Sequence, residues 1–110
     1  MSTRDLLLAA KAASTPTAKY IAIAHNNSPY ISAYPWSSSG FGTKYSDPGT
    51  LPPSTGRGVA FSPDGSAIAI AHYDTPYISA YSWSSSGFGT KYSDPGTRPP
   101  STGWGVAFGV

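Results

Sequence analysis

The sequence predicts an all-β repeat protein, and three observations predict it. Residues 21–61 and 68–108 align without a gap at an offset of 47, with 35 of 41 positions identical. Short apolar segments alternate with turn residues, and 12 Gly and 11 Pro punctuate a chain of 110 residues. Eight Tyr, four Phe and three Trp recur at fixed places in the repeat, a composition suited to packed β structure and not to disorder. A period of 47 residues built from strands and turns points to a propeller or a solenoid. Each unit of such an array cannot bury its faces alone. Two units per chain therefore imply that the chain needs further copies of itself.

The elements follow in order. Residues 1–19 read as a leader with a short helix, because Ser2-Thr3-Arg4-Asp5 resembles a capping box ahead of Leu6–Leu8 and Ser14-Thr15-Pro16 would end it. The two repeat units then span 20–61 and 67–108. Tyr20–His25 and Ile68–His72 are first strands, with Ile21 and Ile23 on one face and Ala22 and Ala24 on the other. The segments from His25 to Pro29 and from His72 to Pro76 are tight connections made of turn residues. Tyr30–Trp36 and Tyr77–Trp83 are second strands, with Tyr34 and Trp36 sharing a face. Phe41–Tyr45 and Phe88–Tyr92 follow a Ser-Ser-Ser-Gly loop as third strands, expected at an edge because each carries a Lys. Asp47-Pro48-Gly49 and Asp94-Pro95-Gly96 are turns: Pro presets φ and Gly permits a positive one. Gly58–Phe61 is a fourth strand, and Ser62-Pro63-Asp64-Gly65 returns it as a hairpin into Ile68.

The run Val59-Ala60-Phe61-Ser62-Pro63-Asp64-Gly65-Ser66-Ala67-Ile68 resembles the opening of a blade in WD-repeat and YVTN-type β-propellers. Tyr77–Ser82 is similar to the third strand of that family. The likeness extends from Tyr20 onward, but no Gly-His pair precedes a strand and Trp36 and Trp83 are each followed by Ser, not Asp. The resemblance implies four-stranded blades, with Val59–Phe61 as the innermost strand. In that order the chain starts at the second strand of one blade. It finishes on a lone innermost strand, Gly105-Val106-Ala107-Phe108. Unpaired edges are templates for another chain, and closed propellers have roughly 4–8 blades. The expected solution is head-to-tail association, in which the terminal strand of one copy pairs with the Ile21/Ile23 strand of the next. Dimers, trimers or tetramers would give four, six or eight blades, and the trimer is favoured. The end at Val110 also reads as a cut through a longer array.

The chemistry is sparse. Seven Lys and Arg face five Asp, with no Glu and no Cys. This is no nucleic-acid footprint, and it leaves no disulfide or thiolate site. The Leu6–Ala10 run is too short for a signal-peptide core or a membrane span, so a soluble intracellular protein is expected. Every Asp falls in a cap, turn or connection, which leaves no carboxylate pair for acid–base work. His25 and His72 are repeat equivalents without further metal ligands nearby in sequence. No cofactor motif, nucleophile elbow or phosphate loop is present. Lactonases and other hydrolases use propeller folds, but their polar clusters have no counterpart here.

The expected role is therefore non-enzymatic self-assembly into a structural or docking scaffold. The alternative is a lectin-like module that presents Trp36, Tyr34, Trp83 and Tyr81 to a glycan or peptide, with multivalent gain in a ring. The competing reading packs these aromatics between blades.

Overall fold

A computed structural model describes residues 17–110. The expected leader helix falls largely in residues 1–16 and so lies outside the described residues. The described residues form seven strands and no helix: β1 (Tyr20–Ala24), β2 (Ile31–Ser37), β3 (Gly40–Phe41), β4 (Gly56–Phe61), β5 (Ala67–His72), β6 (Ile78–Ser84) and β7 (Gly87–Lys91). They make two antiparallel sheets, β1-β2-β3 and β4-β5-β6-β7. Within one chain these sheets close neither a barrel nor a propeller.

The repeat in sequence is a repeat in register. Ile21 pairs with Tyr34 and Ile23 with Ser32 across β1 and β2. Ile68 pairs with Tyr81 and Ile70 with Ser79 across β5 and β6. Period-2 alternation fixes this register, because a slip of one residue would turn every isoleucine to the other face.

The β4–β5 hairpin is built by its turn. Asp64 Oδ1 accepts hydrogen bonds from the Ser62 hydroxyl (2.8 Å), the Ser66 N–H (3.0 Å) and the Ser66 hydroxyl (2.7 Å). The Ser62 hydroxyl in turn accepts from the Ser66 and Ala67 N–H groups. Gly65 sits at φ 75°, where a side chain would be strained. The Ser66 hydroxyl, then its N–H, and then Ser62 hold the Asp64 carboxyl below its ordinary value.

The third strands differ from expectation and from each other. β7 reaches Lys91, whereas β3 stops at Phe41. The cause is one of the six differences between the copies. Pro35 accepts a bond from Gly42 N–H at 2.8 Å but has no N–H to return. Its equivalent Ser82 has one.

The two sheets pack face to face. One side is Tyr20, Ala22, Ala24, Ile31 and Ala33, with Tyr45; the other is Val59, Phe61, Ile68, Ile70, Tyr81, Trp83 and Phe88. Small alanines opposite large aromatics let the sheets interdigitate. Each large side chain buried here contributes roughly 1.5–3 kcal/mol. Trp83 is the centre of the layer. It meets Tyr20, Tyr45, Phe61 and Phe88 edge-on, with centroids 5.0–5.3 Å apart.

Candidate assembly surface and binding residues

The two sheets expose opposite amounts of the same residues. Ile68, Ile70, Tyr81 and Trp83 are 0, 0, 0 and 5 % exposed. Their repeat equivalents Ile21, Ile23 and Trp36 are 37, 55 and 38 % exposed, Phe41 (equivalent to Phe88) is 64 % exposed, and Tyr34 is half-buried. The first set is covered by the partner sheet, and the second has no sheet against it among the described residues. Ile21, Ala22, Ile23, Tyr34 and Phe41 line an open groove of about 510 Å³. Edge-to-face stacking of Phe41 on Tyr34 (5.4 Å) and Trp36 (5.1 Å) holds these rings as a preformed surface.

The four aromatics singled out in the sequence thus divide into two pairs. Tyr34 and Trp36 are accessible. Tyr81 and Trp83 are core residues in the described chain and present no ring face to solvent. Burial pushes the Tyr81 hydroxyl up to about 12. It donates to the Thr50 carbonyl at 2.8 Å and so ties the stretch between β3 and β4 to the second sheet. Trp83 Nε1 has no acceptor among the described residues.

The edges follow the same asymmetry. β5 pairs on both sides, with Val59 opposite Ile70, Ala60 opposite Ala69 and Phe61 opposite Ile68. Among the described residues β1 pairs only with β2, so no described strand lies along the other edge of the Ile21/Ile23 strand. Gly105, Val106, Ala107 and Phe108 repeat the sequence of Gly58–Phe61 but make no ladder among the described residues. The approach to this segment repeats as well. Gly56 N–H donates to the His25 carbonyl at 3.0 Å, and Gly103 N–H donates to the His72 carbonyl at 3.2 Å. The terminal segment therefore leaves the second unit as β4 leaves the first.

The histidines tie strand ends together. His72 Nδ1 lies 2.9 Å from the Asp74 carbonyl and Nε2 lies 2.9 Å from Ser79 Oγ. A carbonyl only accepts, so Nδ1 carries the proton and Nε2 accepts from the serine. His25 makes the same pair of contacts with the Asn27 carbonyl and Ser32. A serine bonded to an oriented histidine has the outline of a nucleophile–base pair. Ser79 is 3 % exposed and His72 fully buried, however, so no substrate reaches them. Burial holds the His72 imidazole below its ordinary value.

Lys44–Asp47 and Lys91–Asp94 are repeat-equivalent ion pairs at 2.7 Å beside the Asp-Pro-Gly turns. The Lys91 ammonium lowers the Asp94 carboxyl. Among the described residues no three His, Cys, Asp or Glu side chains converge on a metal position, and no helix is long and apolar enough to cross a membrane.

One cluster escaped sequence reasoning. The Arg57 guanidinium carbon lies 4.2 Å from the Trp104 ring centroid and 5.3 Å from that of Tyr73. The available signal was the list of differences between copies: all three residues stand at positions where the repeats diverge. Comparison with protein-family models, with curated proteins and with solved structures found no match.

Proposed function

We propose that this chain is a non-enzymatic, self-assembling β-propeller repeat protein that serves as a structural or docking scaffold. The observation that carries the proposal is the opposite burial of repeat-equivalent faces. The internal interface joins the small-residue face of one unit to the Ile/Tyr/Trp face of the next. The exposed Ile21/Ile23/Tyr34/Trp36/Phe41 face is a second copy of the latter. The face of the second sheet that carries half-buried Ile78 and Ala80 and exposed Tyr92 is a second copy of the former. A chain whose two outer faces repeat the two halves of its own core is complementary to itself head to tail.

The offset of 47 then fixes the contacts between copies. Gly105, Val106, Ala107 and Phe108 pair with Ala24, Ile23, Ala22 and Ile21 of the next copy, as Gly58–Phe61 pair with Ala71–Ile68. Tyr92, 52 % exposed, packs on Trp36 of the next copy as Tyr45 packs on Trp83. The Tyr34 hydroxyl reaches the Thr97 carbonyl of its neighbour as Tyr81 reaches Thr50. Each blade becomes four-stranded, and a trimer gives six blades.

The lining of the exposed groove favours this occupant over a sugar. Its walls are almost wholly apolar, whereas a lectin-like site at Trp36 and Tyr34 needs polar groups to orient a glycan. Light scattering on the full chain and on a variant lacking Gly105–Val110 tests the proposal. The full chain should run as one species at about three times the mass of 11.4 kDa, and the deletion should not. A deletion variant that keeps the same mass refutes strand exchange.

A further inference from the structure

We propose that Arg57, clamped between Tyr73 and Trp104, is a binding site for an oxyanion, a carboxylate or phosphate group, present once per chain. Arg57 is the second residue of β4 and is exposed. Its guanidinium carbon lies over both the Trp104 and the Tyr73 ring, and the in-plane N–H edge of an exposed arginine binds an oxyanion through two parallel hydrogen bonds. Holding the guanidinium in place beforehand removes much of the ordering cost of binding. The ion pairs among the described residues use Lys44 and Lys91, not Arg57.

The clamp is built by backbone contacts on both sides. Tyr73 N–H donates to the Thr55 carbonyl at 3.0 Å, and the Thr102 hydroxyl donates to the Tyr73 carbonyl at 3.0 Å. Gly103 is tied to His72, which positions Trp104 next in the chain. Gly58 lets the terminal segment approach: a Cβ there would lie 2.8 Å from Gly105 Cα and 3.2 Å from the Trp104 carbonyl oxygen. The indole is 71 % exposed and the Tyr73 ring 53 % exposed. Aromatic rings this accessible add little to the core, and their place over one guanidinium is their distinguishing feature.

The divergence between copies points the same way. Four of the six differences, Asn26/Tyr73, Asn27/Asp74, Ser28/Thr75 and Arg57/Trp104, fall on the connection after the histidine and on the start of the fourth strand. The first copy has Asn26 where Tyr73 stands, so the clamp is not duplicated. A groove of about 560 Å³ lies on the Tyr73 side of the cluster, lined by Pro53, Tyr73, Asp74, Thr75, Tyr77 and Thr102. The Asp74 carboxylate on its wall opposes a multiply charged ligand.

The test is an NMR titration of the full chain with sodium phosphate and with sodium acetate, at constant ionic strength, against sodium chloride. The Arg57 Nε–H and Trp104 Nε1–H signals should shift saturably, with a dissociation constant of about 1 mM. Arg57→Gln should weaken the response at least about tenfold, while the remaining amide spectrum shows an intact fold. Trp104→Ala, which keeps the charge, should weaken it about two- to fivefold. A saturable response to acetate alone assigns the site to carboxylates, and one to phosphate alone assigns it to phosphates. No saturable shift with either anion, or an unchanged shift in Arg57→Gln, overturns the proposal. Arg57, Tyr73 and Trp104 all belong to one chain, and Trp104 adjoins the strand that pairs with the next copy.

Discussion

Replacing Trp83 by Ala removes the ring that four other aromatics meet in the core, and the cost follows from its surroundings. Trp83 is 5 % exposed and meets four aromatic rings at 5.0–5.3 Å. Truncation of a buried Trp or Phe to Ala costs about 3–5 kcal/mol in transfer and cavity terms. That is a large fraction of the roughly 5–15 kcal/mol by which domains are stable. Urea unfolding followed by circular dichroism reads the loss. With a slope of about 1–3 kcal/mol per molar urea, the midpoint falls by at least about 1 M. Trp83→Phe should cost much less, because the ring contacts survive and the lost indole N–H had no acceptor among the described residues. The repeat-equivalent Trp36→Ala isolates the second half of the argument. At 38 % exposure within the chain, its loss should act chiefly on association, lowering the mass measured at a given concentration. A Trp83→Ala loss below about 1 kcal/mol would refute the core described here.

The remaining predictions concern pH and backbone packing. His72 has a folded pKa below its ordinary 6.5 because it is buried; the Lys91 charge adds to the depression, and the Asp74 and Ile78 backbone and the Asp94 carboxylate oppose it. The unfolded chain therefore takes up the proton first, so stability is full above pH 6.5, falls as the pH drops through that value, and stops falling below the folded pKa. An NMR titration of the imidazole should show a depressed pKa, and a value above 6.5 contradicts the buried, neutral tautomer. Gly56→Ala should destabilise by about 1–3 kcal/mol, because the added Cβ collides with the Tyr30 carbonyl and comes within 2.7 Å of Ile70 Cδ1. Thermal denaturation checks this, and a neutral result would mean that β4 does not cross the first unit where it is placed.

How far the sequence could be read depended on what each residue needed. Strand positions and faces were legible, because Ile-Ala alternation and the Ser-Pro-Asp-Gly turn are local signals. The extent of the third strands was not. It turns on the missing N–H of Pro35, whose effect depends on which residue sits opposite. The aromatics Tyr34, Trp36, Tyr81 and Trp83 were legible as a set, but the division into exposed and buried pairs was not. Identical residues differ only in whether a second sheet lies against them, and that is a property of the ends of the stack. The Arg57 clamp joins residues 16 and 47 positions apart, and no local pattern marks it.

The central claim is that the terminal strand completes the first sheet of another copy, and a disulfide pair tests it most directly. The chain has no Cys, so Ile23→Cys combined with Val106→Cys introduces the only thiols. In the proposed register these residues stand directly opposite, with Cβ atoms about 4.5–5.5 Å apart, close to disulfide reach. Oxidation should give chains covalently linked into multimers, resolved on a denaturing gel and reversed by reductant. Val106→Cys with Ala22→Cys, one residue out of register and on the opposite face, should not link. Monomer alone from the first pair, or equal linking from both, would contradict the account.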